Sequence, residues 1–229
     1  MAENERKFTL ERTERTVNYK NTPVLSLNIN YPVFYAENES RKESEFVNKI
    51  NKFYSIGAER FVSNAVSRYS SRAYADKSKN ENAKARMSMT SNVSYTDKNY
   101  VSVFVDFSSS GGGDAKNIRL SQLWSAEKSA VLSPKYVFDT GRRAKRYVKE
   151  LIFKTALRNA ANPSFCYREN FKSVIFRKFC FENFYFVPRG VAFFYDRGTL
   201  LSDGSTAVFV IPYEKLDGIL KITRKAEYN

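Results

Sequence analysis

Four basic side chains, Arg142, Lys145, Arg146 and Lys149, recur at intervals of three and four residues. On an α-helix that spacing sets all four on one face. Guanidinium and ammonium groups gathered this way can hold the phosphates or carboxylates of an anion. The four belong to a wider concentration, since residues 140–180 contain eleven lysines and arginines against two acids, Glu150 and Glu169. Two readings stand: a solvated helix face, common for such patterns, or an anion-binding patch. The second makes these four residues the candidate site.

Residues 108–114 read Ser-Ser-Ser-Gly-Gly-Gly-Asp, a composition that could wrap a phosphate. A phosphate-binding loop of the Walker type ends in Gly-Lys-Ser/Thr, and here Asp114-Ala115-Lys116 follows instead. The expectation is a hairpin loop, with Ser110, Gly111, Gly112, Gly113 and Asp114 as a candidate contact loop. Residues 189–195, Arg-Gly-Val-Ala-Phe-Phe-Tyr, approach the signature strand of RNA-recognition domains. The position that must stack on a base is Val191, which cannot do so.

The chain has no histidine, which excludes Ser-His-Asp and Cys-His nucleophile systems and histidine-dependent zinc sites. Its two cysteines, Cys166 and Cys180, are too few for a thiolate cage. They are either a disulfide pair closing a short loop or two free thiols. No spacing among the 24 acids singles out a carboxylate pair. No catalytic residue, metal or cofactor is therefore assigned, and the chain is read as a non-enzyme.

The elements that must position these residues follow from periodicity. Residues 5–20 read as an edge strand or arm. Alternation through Leu25, Leu27, Ile29, Tyr31 and Val33 predicts a strand over 23–34, with Pro32 marking a sheet edge or bulge. Ser40 and Glu43 have capping-box spacing ahead of Phe46, Ile50, Phe53, Gly57, Phe61, Ala65 and Tyr69, a helical series that gives way to a polar break at 75–83. Residues 84–128 predict an antiparallel meander with a turn at 96–99. A helix start is expected at Ser133-Pro134.

The second main helix is expected over 140–162, buried through Ala144, Val148, Leu151, Ile152 and Thr155 and stopped by Pro163. Strands are expected over 176–187, 191–195 and 207–211, with turns at 188–190 and 202–204, before a short helix from Pro212. The sum is an α+β fold: antiparallel sheet or sheets with two main helices packed on one face. An arm over 1–22, a single domain over 23–221 and a tail over 222–229 complete the layout.

Hydrophobic residues make up 42% and aromatics 15% of the 229 residues, ample for a packed core. No apolar run reaches the ~18 residues a membrane helix needs. The opening Met-Ala-Glu-Asn-Glu-Arg-Lys contains no apolar h-region, so the reading is a cytosolic protein or a chain whose signal or anchor lies outside this sequence. A net charge of +14 attracts anionic partners: envelope polymers, lipid surfaces or nucleic acid.

Four stretches carry a family resemblance. Residues 27–34 (Leu-Asn-Ile-Asn-Tyr-Pro-Val-Phe) and 46–51 (Phe-Val-Asn-Lys-Ile-Asn) resemble the opening strand and helix of a bacterial extracytoplasmic domain family. Residues 183–195 are similar to its hairpin, and 209–216 to its closing strand and helix. The family includes the ectodomain of the anti-sigma factor RsiV and the N-terminal domain of the peptidoglycan deacetylase PdaC. Its members usually carry Gly-Gly-Ala-His after the central strand, where this chain has Gly111-Gly112-Gly113-Asp114. The segment after Tyr195 also departs, reading Asp-Arg-Gly-Thr-Leu-Leu-Ser-Asp-Gly.

The resemblance implies a non-catalytic extracytoplasmic module, membrane-anchored or secreted, that binds or senses a ligand. The RsiV ectodomain receives lysozyme, itself basic. A +14 chain would repel such a partner at encounter, so that role is not carried over. The expected partner is an anionic envelope polymer or another protein. A cytosolic nucleic-acid binder and a protein-binding receptor or inhibitor are the alternatives.

Overall fold

The computed structural model describes residues 6–36, 40–111, 117–162 and 164–222. The chain forms two compact units. One holds the described residues up to Leu120 together with Trp124–Ala130; the other holds Ser121–Leu123 and the described residues from Val131 on. The strand within the expected arm, Phe8–Tyr19, belongs to the first unit.

In the first unit, β1 (Phe8–Tyr19) and β2 (Thr22–Phe34) form an antiparallel pair. Pro32 lies past Asn30, the last β2 residue that pairs with β3, where β2 has a neighbour on one side only. The bulge falls elsewhere, at Val17/Asn18 opposite Leu25 and Pro23. Helix α1 (Arg41–Asn64) starts at Ser40, whose side chain accepts the Glu43 amide at 3.2 Å. The Glu43 carboxylate takes the guanidinium of Arg6.

The helix then widens into a π-helical turn, Ala65–Tyr69, and continues as α2 (Ser70–Lys79). The polar break thus begins after Lys79, later than expected. Charged residues in 75–79 lie on a helix because its other side, through Ser70 and Ala73, is buried.

The meander is present as β3 (Ala85–Thr96), β4 (Tyr100–Ser110) and β5 (Asn117–Ser125), and a short β6 (Ala130–Val131) completes the order β1-β2-β3-β4-β5-β6. Asp97 makes the β3–β4 turn by accepting the amides of Asn99 at 2.7 Å and Tyr100 at 2.6 Å. One pair departs from the antiparallel expectation: β2 and β3 run parallel, joined by the helical crossover. Leu25, Leu27 and Ile29 of β2 sit beside Ala85, Met87 and Met89 of β3. All six are buried with Phe46, Ile50 and Tyr54 of α1. Burying each large side chain contributes roughly 1.5–3 kcal/mol.

The second unit contains α3 (Pro134–Val137), α4 (Arg142–Asn159), α5 (Phe171–Lys178) and the antiparallel sheet β7 (Phe184–Val187), β8 (Gly190–Tyr195), β9 (Ala207–Pro212). A 3₁₀ turn, Tyr213–Leu216, follows. Helix α3 starts after Ser133 with Pro134 in its first turn, as expected, although the Ser133 side chain makes no capping hydrogen bond. Helix α4 buries Ala144, Val148, Ile152 and Ala156, a strict four-residue stripe, while Leu151 and Thr155 are half-buried beside it. Pro163 lies outside the described residues.

The strand expected from Phe176 is a correction. Phe171, Val174 and Ile175 bury one side of a helix, and the strand begins only at Phe184. The aromatic content that favours strands is spent instead on a core cluster, with Phe138 at 4.8 Å from Phe184 and 5.2 Å from Phe181 between ring centres. Each main helix has its own sheet: α1 contacts β2, and α4 contacts β9. The α+β class stands.

Candidate anion-binding site

Helix α4 begins after Gly141, whose amide is held by the Asp139 carboxylate at 2.9 Å, and its first turn contains no acid. Its buried stripe fixes the rotation of the helix and thereby sets the face on which the basic residues stand. Arg142, Lys145, Arg146 and Lys149 come together there. With Glu150 and Phe176 of α5 they line an open hollow of about 510 Å³. The sequence spacing had indicated the four cations. Phe176 and Glu150 were not anticipated as part of the site.

The charges in this hollow are not equivalent. Arg146 pairs with Glu150 at 2.9 Å, an exposed pair one helical turn apart that contributes only a few tenths of a kcal/mol. Lys149 is half-buried and donates its ammonium to the Phe176 carbonyl, which ties α4 to α5. Partial burial, and then the nearby Lys145 charge, holds the Lys149 pKa below the ordinary lysine value. Among the described residues Arg142, Lys145 and Lys149 form no ion pair.

Lys145 also acts at a distance on Glu182. That carboxyl lies below its usual range, first because the Cys180 thiol donates to it, then through a backbone amide, and less through Lys145. The remaining cations of 140–180 are less gathered. Arg143, Lys154 and Arg158 are exposed on α4 but lie roughly 100–160° further round the helix. Arg168 sits at the 198–200 turn, its amide on the Leu200 carbonyl at 2.9 Å.

Of the loop expected over 108–114, Ser108, Ser109 and Ser110 are instead the end of β4, paired with β3, while Gly112, Gly113 and Asp114 lie outside the described residues. Gly111 has φ +75, and a Cβ there would stand 2.8 Å from the Lys84 carbonyl oxygen, so the chain passes too close for a side chain. Ser110 lines a second open hollow, of about 530 Å³, on the first unit's sheet with Ser26, Asn28, Ser88 and Ser108. The Ser88 and Ser108 hydroxyls are 2.6 Å apart. This polar row was missed; its signal was the small polar residue at alternate positions of three strands.

Cys166 and Cys180 are free thiols, so the disulfide considered from the sequence is not formed. Cys180 turns its sulfur to Glu182 at 2.6 Å, and Cys166 is exposed beside the 201–202 turn, where its carbonyl accepts the Ser202 amide at 2.7 Å. Residues 190–195 form β8, buried over its whole length, so Phe193, Phe194 and Tyr195 are core residues rather than a stacking surface for bases. Among the described residues no helix is long and apolar enough to cross a membrane.

No protein-family model matches the chain, and no curated protein is significantly similar to it. Solved structures do match. A DUF3298 family member from Bacteroides fragilis NCTC 9343 superposes with a TM-score of 0.66 at 16% identity, covering 95% of this chain and 94% of that one. A DUF3298 family protein from Pseudomonas aeruginosa PAO1 does so with a TM-score of 0.63 at 15% identity, covering 94% of each chain. Both likenesses are of fold.

Proposed function

We propose that this chain is a non-catalytic extracytoplasmic binding module, of the same broad kind as the RsiV and PdaC domains, that holds an anionic envelope polymer on helix α4. The observation that carries the reading is the hollow lined by Arg142, Lys145, Arg146 and Lys149, with a carboxylate partner for Arg146 alone among the described residues. A phosphate-bearing polymer suits it. Successive anionic groups can meet successive turns of the helix, each contact displacing small counterions. The hollow is open rather than enclosed, which fits a chain-like ligand laid across it better than a small molecule.

The test is co-sedimentation with purified bacterial wall carrying teichoic acid, wall stripped of it, and duplex DNA at equal phosphate. The proposal expects retention on the first, little on the second, and loss on the doubly reversed variant R142E/R146E. Equal retention by both walls, or by the variant, overturns it. Preference for DNA over wall polymer instead supports a nucleic-acid binder.

A further inference from the structure

The terminal strand β1 of the six-stranded sheet has β2 along one edge, and no strand among the described residues along the other. It is 12 residues long, mostly exposed, and free of proline, with regular register from Phe8 to Val17. Such an edge is a template for another strand unless its side chains prevent it.

Its centre reads Glu11-Arg12-Thr13-Glu14-Arg15, a run whose charges invert about Thr13. We infer that β1 is a pairing surface for a second copy of this chain, the two β1 strands running antiparallel about a two-fold axis through Thr13. In that register Glu11 stands opposite Arg15 of the second copy and Arg12 opposite its Glu14, and symmetry repeats both pairs. Opposite charges directly across an antiparallel pair attract, and like charges there repel.

No neighbouring register does the same. Moving the axis one residue sets Arg12 on Arg12 or Glu14 on Glu14; moving it two sets Glu11 on Glu11 or Arg15 on Arg15. Charges that usually keep sheet edges apart therefore select one alignment here. The two arginines are also available. Arg12 and Arg15 form no ion pair among the described residues. Glu11 is engaged through Oε2 by the Tyr31 hydroxyl, and Glu14 by a long 3.5 Å contact from Asn28.

Sedimentation velocity across a concentration series tests the pairing, at about 0.15 M salt, where the ~8 Å screening length damps the net +14 but not adjacent pairs. The chain dimerises, R12E and E14R each weaken the dimer about ten-fold or more, and R12E/E14R recovers it. Independently, with C166S and C180S in place, T13C forms a disulfide dimer under mild oxidation and T16C does not. A monomer at every concentration to about 1 mM, no effect of the single reversals, no recovery in the double variant, or cross-linking at T16C rather than T13C overturns the inference.

Discussion

Trp124 donates its indole N–H to the hydroxyl of Tyr54 across 3.2 Å, and the two side chains are 3% and 1% exposed. Phe53 stands edge-on to the same indole at 5.2 Å. Burial pushes the pKa of the Tyr54 hydroxyl far above the tyrosine range, so it remains a neutral acceptor at any ordinary pH. Y54F keeps the ring and strands the indole donor. Unfolding in urea, followed by fluorescence of the chain's single tryptophan, is expected to show a loss of about 1–3 kcal/mol.

Tyr31 gives a pH-dependent counterpart on the β1–β2 pair. Its hydroxyl donates to Glu11 directly across the ladder, and this bond, partial burial and the Glu11 charge push its pKa to about 12. The folded value lies above the unfolded value of about 10, so the contribution to stability is complete below pH 10 and is lost as pH rises through about 12. Carbon-13 tyrosine spectra should show one ring titrating near 12, and E11Q should bring that ring back towards 10.

Gly190 opens β8 against β9 so closely that an added Cβ would lie 2.2 Å from the Ile211 carbonyl oxygen. Neither partner is a flexible side chain that could swing aside. G190A is expected to cost about 3 kcal/mol through strand displacement, read as a lowered thermal midpoint with the Phe193–Phe209 register disturbed in amide spectra.

The two cysteines should differ as nucleophiles. Cys166 is exposed, whereas burial and the hydrogen bond to Glu182 push the Cys180 thiol up. A disulfide reagent at neutral pH should label Cys166 quickly and Cys180 slowly, since the thiolate is the reacting species. E182Q, which removes the carboxylate, is expected to accelerate the second phase without altering the first.

Local features were legible in the sequence where one physical rule decides them. The Asp97 turn, the Ser40 cap and the α4 stripe needed only side chains reaching neighbouring backbone or a 3.6-residue period. The parallel pairing of β2 and β3 was not legible, because alternate burial reads the same in either direction. Helix α5 was masked by Phe176 and Phe179, whose strand preference was overruled by burial of Phe171, Val174 and Ile175. At the site, the four cations share one helix and so share one periodicity. Phe176 is 27 positions from Lys149, and only tertiary packing brings its carbonyl there. The row of Ser26, Asn28, Ser88 and Ser108 was hidden for the same reason, since two strand registers must be known before those residues become neighbours.

The π-helical turn at Ala65–Tyr69 makes chain length a constraint of its own. A wide turn of this kind holds one residue more than an α-helix would. Winding the same residues as plain α-helix would leave that extra residue unabsorbed and rotate everything after it by about 100°. Ala73 would turn out to solvent, and Lys77 would leave the Pro23 carbonyl it now reaches at 2.8 Å. At that one point the spacing of the backbone, rather than the identity of any side chain, decides which surface faces the sheet.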